Sequence, residues 1–139
     1  MNPLQRRKKA TQATMDRFAG KAFAFGSVDC AKMAAFHLKQ LGVKVRLSRA
    51  GQYGSAAGAA GALRRLGFAT LVEAVDGTCR RLPSPAYAMI GDLVSFPSDH
   101  AIGALGIVLG NGNMLAFHED HDGPVVMTMG RIDIAWAAI

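Results

Sequence analysis

The sequence predicts an α+β fold in which N-terminal helices pack on an antiparallel β-meander. The first half is alanine-rich and carries helix-start and helix-stop signals, whereas the second is rich in Val, Ile, Gly and turn residues. Between two strand-like runs of that second half sits Gly110-Asn111-Gly112. Asn-Gly accepts the positive φ angles of a type I′ turn, so its flanks are paired neighbours. The chain has 139 residues, 50% hydrophobic and 19% charged. That is the length of one domain, with enough apolar surface to offset the entropy of ordering it.

Arg6, Arg7, Lys8 and Lys9 have no apolar anchor near them. Residues 1–9 therefore read as a flexible basic arm, and 10–139 as a single domain. A first helix is expected from about Lys8 to Ala19, with Ala10, Thr14 and Phe18 inward and Gly20 closing it. For the second, Ser27 can serve as N-cap, Asp29 favours the positive helix end and Gly42 stands at the C-cap, which places Cys30 at about the third residue. Val43, Val45 and Leu47 alternate with basic residues and fit either an edge strand or a loop. Ser55 to Leu66 reads as a third helix ended by Gly67, Leu71 to Val75 as a helical turn, and Pro83 and Pro85 as an extended approach to the sheet. Strands are expected over Asp92 to Phe96, Ala104 to Leu109, Asn113 to His118, Val125 to Met129 and Ile132 to Trp136.

The formal charge is +6, but the first ten residues carry four positive charges and no negative one, leaving +2 for the rest. The basicity reads as a terminal arm and not as a nucleic-acid surface, since no aromatic residues interleave with it as a stacking platform requires. No apolar run approaches the roughly 18 residues of a membrane span. Ala10-Thr11-Gln12-Ala13-Thr14 after the basic residues is not the apolar core of a signal peptide. Two cysteines, Cys30 and Cys79, make no disulfide framework, and no Cys/His spacing suggests a metal or cofactor site.

Free N–H groups and the helix dipole at a helix start stabilise a thiolate, so Cys30 stands where a nucleophile belongs; a small buried hydrophobe is the alternative. Phe25-Gly26-Ser27-Val28-Asp29-Cys30-Ala31, then Gly91-Asp92-Leu93-Val94-Ser95-Phe96, then Leu105-Gly106-Ile107-Val108-Leu109-Gly110-Asn111-Gly112 together resemble the NlpC-type papain-like cysteine peptidases. The order of motifs spans most of the chain. The short length, the Asp-Cys-Ala start and the terminal Ala135-Trp136 resemble more closely a small NlpC-like group encoded among phage and prophage tail genes. The resemblance implies a cysteine at a helix N-terminus packed on an antiparallel sheet, and cleavage of peptide or amide bonds in bacterial cell walls.

In active relatives a histidine two residues before the glycine matching Gly106 takes the cysteine proton; this chain has Ala104 there. The residue orienting that histidine falls near Ala116, also without a polar side chain. His118 and His100 are the candidate replacement bases, whereas His37 is two turns from Cys30 along its helix and out of reach. His121 with Glu119, Asp120 and Asp122 forms a polar cluster that reads as a solvated loop more readily than as a cation site. The resemblance thus supports a tail-associated structural protein with a degenerate hydrolase site, acting with other phage tail proteins in the virion tail or in the host cytoplasm during assembly. The alternative is an active peptidase or amidase on peptidoglycan peptides with Cys30 as nucleophile. A nucleic-acid or other binding module using the basic arm is the third.

Overall fold

The computed structural model describes residues 1–118 and 120–139. Its first helix, α1, spans Pro3–Phe18, so the basic residues are helical and the expected flexible arm over 1–9 is overturned. Asn2 and Gln5 form a reciprocal capping box, and Pro3 occupies the first turn, where a missing N–H costs nothing. Arg7, Ala10, Thr11, Thr14 and Phe18 are the buried face. The anchor is ionic: Arg7 Nη1 lies 2.5 Å from Asp92 Oδ1 and 3.1 Å from the Ile90 carbonyl, and Nη2 donates to the Ile139 carbonyl.

Helix α2 spans Cys30–Gln40, capped by Asp29 and not by Ser27, so Cys30 is its first residue and not its third. Gly42, at φ 79°, ends it as expected: its N–H reaches the Lys39 carbonyl and the Val43 N–H reaches that of Leu38. Helix α3, Ala56–Arg65, starts at a Ser55 cap and closes through Gly67 in the same way. Helix α4 covers Leu71–Asp76 behind a Thr70–Glu73 capping box. The stretch before α3 forms a 3₁₀ turn at Arg46–Arg49 and no strand, with Leu47 buried beneath it. A second such turn, Pro85–Tyr87, interrupts the extended approach expected at the prolines.

Six strands form one antiparallel sheet: β1 Arg80–Arg81, β2 Leu93–Phe96, β3 Ala104–Gly110, β4 Asn113–Phe117, β5 Pro124–Thr128 and β6 Ile134–Ala137, in the order β1-β6-β2-β3-β4-β5. The hairpin turns at Gly110-Asn111-Gly112, all at positive φ. Strands β2 to β5 are the expected meander, but β6 does not continue past β5. It inserts between β2 and β1, with Trp136 opposite Leu93 and Arg81. Burial accounts for this. Trp136 is fully buried and its Nε1–H donates to Asp76 Oδ1, whereas at the β5 edge Val126 is 55% exposed. Leu93, Leu105, Ile107, Leu115 and Trp136 face the helices, and Val94, Val108, Met114, Ala116 and Ala135 form a second apolar layer on the other face.

His37 sits inside the helix layer, fully buried. Its Nε2–H donates to the Gly91 carbonyl (2.7 Å) and its Nδ1 lies 2.9 Å from Thr14 Oγ1. Burial lowers its pKa below 6.5, against the opposing pull of the Gly91 carbonyl. The folded state therefore holds the imidazole neutral while the unfolded chain takes up a proton below about pH 6.5, so stability is full above that pH and erodes as pH falls toward the lowered folded value. Melting temperature should drop between pH 7.5 and pH 5 more steeply in the natural protein than in His37→Gln. Equal slopes would remove His37 as the cause.

Candidate functional site

The chain enters α2 through a tight turn closed by a bridge between Ala24 and Val28. Gly26 is required there: it holds φ 85°, and a Cβ would collide with the Tyr53 carbonyl. Asp29 then gathers three donors. Its Oδ1 accepts from Lys32 N–H, and its Oδ2 from Gly26 N–H (2.8 Å) and from the Tyr53 hydroxyl (2.7 Å). Burial and the bond to Asp29 raise the Tyr53 pKa, so the hydroxyl stays a neutral donor. Tyr53 is a positioning residue that sequence reasoning missed, because a loop residue more than twenty positions after its partner leaves no periodic signal.

Cys30 is half-buried at the head of α2, with its thiol against the start of β3. Hydrogen bonds from Leu105, Cys30 and Ala31 backbone N–H groups favour the thiolate, as expected for a helix start. Burial outweighs them, helped by the Asp29 charge, and pushes the thiol up to about 11. At neutral pH Cys30 is a protonated thiol.

It lies in a cleft of about 860 Å³. One wall is aromatic: Phe23 meets Phe25 and Phe117 edge to face at 4.8 and 5.7 Å. Ala56, Ala57 and Ala60 of α3 form another. Ala104, the first residue of β3, lines the same cleft beside Leu105, whose N–H meets the Cys30 sulfur. The position expected for a base therefore opens into the same cleft as the thiol, and it holds a methyl group. Ala116 lies elsewhere, fully buried in the layer on the far sheet face, and does not line the cleft.

His100 and His118 both line the cleft. His100 is exposed in the loop before β3, its N–H bonded to Ser98 Oγ. The His118 side chain, 40% exposed just beyond β4, turns Nδ1 toward Asp120, accepting its N–H at 3.1 Å and standing 3.5 Å from its carboxylate. Neither ring bonds the Cys30 thiol among the described residues. His121 joins the rim, its ring 6.0 Å from that of His118. This rim is clipped to the chain ahead of α2. Phe23 N–H donates to the Asp122 carbonyl at 2.5 Å, and Gly123 packs so tightly on the Lys21 carbonyl that a Cβ would not fit. Glu119, of the expected polar cluster, lies outside the described residues. Among the described residues no three His, Cys, Asp or Glu side chains are placed to hold a metal ion, and no helix is long and apolar enough to cross a membrane.

The fold is similar to that of NlpC2 from Trichomonas vaginalis, with a TM-score of 0.65 and 10% identity over 99% of this chain and 49% of that one. It is also similar to NlpC1 from the same organism, with a TM-score of 0.61 and 11% identity over 94% of this chain and 42% of that one. This chain thus spans just under half the length of either. At such identities the likeness establishes an α+β, NlpC-like, papain-like fold and nothing finer. No curated protein matches the sequence. The family described as "Domain of unknown function (DUF6950)" matches residues 2–138, and the chain belongs to that family.

Proposed function

We propose that this protein is a degenerate NlpC-like hydrolase whose cleft binds without cleaving, and that it serves as a structural component of a phage or prophage tail. The observation that carries the first part is the Cys30 thiol, pushed up to about 11 by burial, in a cleft where Ala104 stands at the position the resemblance gives to the base. Cysteine hydrolases act through a thiolate and an imidazole as one unit, and losing one member of such a unit costs on the order of a million-fold in turnover. The tail assignment rests on the sequence resemblance and makes other tail proteins the partners, in the virion or in the host cytoplasm during assembly.

The second reading, an active peptidase or amidase on peptidoglycan peptides, is favoured by one observation: His118 and His100 share the cleft with Cys30. Iodoacetamide alkylation of Cys30 against pH separates the two. On the degenerate reading the rate rises as one ionisation near pH 11, with no inflection near 6.5, the ordinary value of a histidine. An inflection there, or release of peptides from peptidoglycan fragments that Cys30→Ser abolishes, establishes a working Cys–His pair and removes the proposal.

A further inference from the structure

Helices α2 and α3 both contribute to the cleft. Both begin at the cleft, through Cys30 and through Ala56, Ala57 and Ala60. Both end away from it, at Leu41 and Leu66, and there the basic residues collect. Arg6, from the segment expected to be a free arm, donates Nη2 to the Leu41 carbonyl at 2.8 Å. Arg46 donates to the Leu66 carbonyl and lays its guanidinium over the Phe68 ring at 4.9 Å. Lys39 and the pair Arg64 and Arg65 occupy the last turns of α2 and α3, and Lys44 lies between the two ends in sequence. All six are exposed, and none belongs to a salt bridge among the described residues. Glu73, the carboxylate nearest in sequence to Leu66, is taken up by the Ala69 and Thr70 N–H groups.

We propose that this end of the molecule, distinct from the cleft, binds the phosphate backbone of a nucleic-acid duplex without reading its sequence. Arg6 and Arg46 are each held to a helix carbonyl through one nitrogen, and an exposed guanidinium has further donors that suit phosphate oxygens. A protein partner requires an apolar centre to its interface. Of the large exposed apolar side chains, none comes from the α2 end, the 42–49 segment or the α3 end; Met1 and Leu4, just before Arg6, are the nearest in sequence, two against six cations. A membrane surface likewise requires apolar side chains to insert. Single strands require exposed aromatic faces, and the aromatic ring at this end, Phe68, is covered by Arg46. Charge with little apolar surface matches the polar, strongly basic character of duplex-binding interfaces.

The test is fluorescence anisotropy of the full chain with labelled 20-base-pair duplexes of two unrelated sequences, between 50 and 200 mM salt. If about five of the six side chains meet phosphates, log K should fall against log salt with a slope of about −4.5, a loss of several hundred-fold over that range, alike for both sequences. Replacing Lys44, Arg64 and Arg65 with Gln should weaken binding at least tenfold and flatten the slope by about 2 to 3. Replacing the exposed Lys21, Arg80 and Arg131 with Gln removes the same net charge elsewhere and should change binding less than threefold. Circular dichroism confirms that both triple variants are folded. Equal losses in the two variants, or no binding at 50 mM salt, overturns the proposal. Poly-L-glutamate or anionic phosphatidylglycerol vesicles binding as tightly as the duplex would also overturn it, in favour of an acidic protein or a membrane.

Discussion

Asp92→Ala should destabilise the protein by about 3–5 kcal/mol, the cost of leaving a buried charge without its partner. Asp92 is 1% exposed, and its carboxylate accepts from Arg7 and from the Met89 and Ala138 N–H groups. Removing it strands a guanidinium that is itself 6% exposed and orphans two backbone donors at once. Against a domain stability of about 5–15 kcal/mol, such a loss leaves little margin at 37 °C. Urea denaturation of Asp92→Ala, Arg7→Met and the double variant measures it: the double variant should recover part of the loss, because neither charge is then left alone. Deleting residues 1–9 should lower the melting temperature by many degrees for the same reason, contrary to what a flexible arm predicts. A change below about 1 kcal/mol in Asp92→Ala would show that the pair contributes no more than an exposed one.

Ala104→His should make Cys30 reactive. An imidazolium within about 4–6 Å of a thiol lowers its pKa by about 1 to 3. Starting from about 11, alkylation at pH 7.5 should accelerate at least tenfold, and its pH profile should gain an inflection from the histidine. The larger side chain costs about 1–3 kcal/mol in a pocket lined for alanine, so the variant should melt lower while staying folded. Ala104→Gln adds similar bulk without a titrating group and should leave the profile unchanged. Peptide hydrolysis need not follow, because Ala116 on the far sheet face provides nothing to orient the new ring. Identical alkylation profiles in a folded Ala104→His protein would show that position 104 does not face the thiol.

The helix signals in this sequence were largely local and therefore readable. Ser55, Gly42 and Gly67 mark helix ends because each satisfies backbone groups within a few residues of itself. Asp29 was legible as a helix-start residue, but it took the cap in place of Ser27, since Asp29 reaches Lys32 N–H and also binds Tyr53. The start of α1 carried an unused signal: Asn2, Pro3 and Gln5 are a capping box with proline in the first turn, and Arg7, Ala10, Thr14 and Phe18 continue one helical face. Basic side chains made that face look solvated, and only Asp92, 85 residues away, reveals that Arg7 is buried. The insertion of β6 was invisible for the same reason, since alternation gives a strand its faces but not its neighbours. At the candidate site, motif spacing points to Ala104, which lines the cleft. The state of the thiol was not legible, because burial is a property of the packed cleft.

The sheet cannot be assembled in the order in which the chain is synthesised. Strand β6, the last in chain order, sits between β1 and β2, and the Ile139 carbonyl completes the shell of Arg7, from the first turns of α1. Until β6 emerges from the ribosome, β2 has an open edge, the Trp136 site in the helix-facing core is empty and Arg7 lacks one acceptor. The meander of β2 to β5 can form early, but the core closes only once residues 134–139 are made, through contacts of that segment with β2 and α1. Such long-range closure slows folding and exposes β2 as a site for mispairing meanwhile. A nascent chain stalled before residue 134 should accordingly remain protease-sensitive in its helical half.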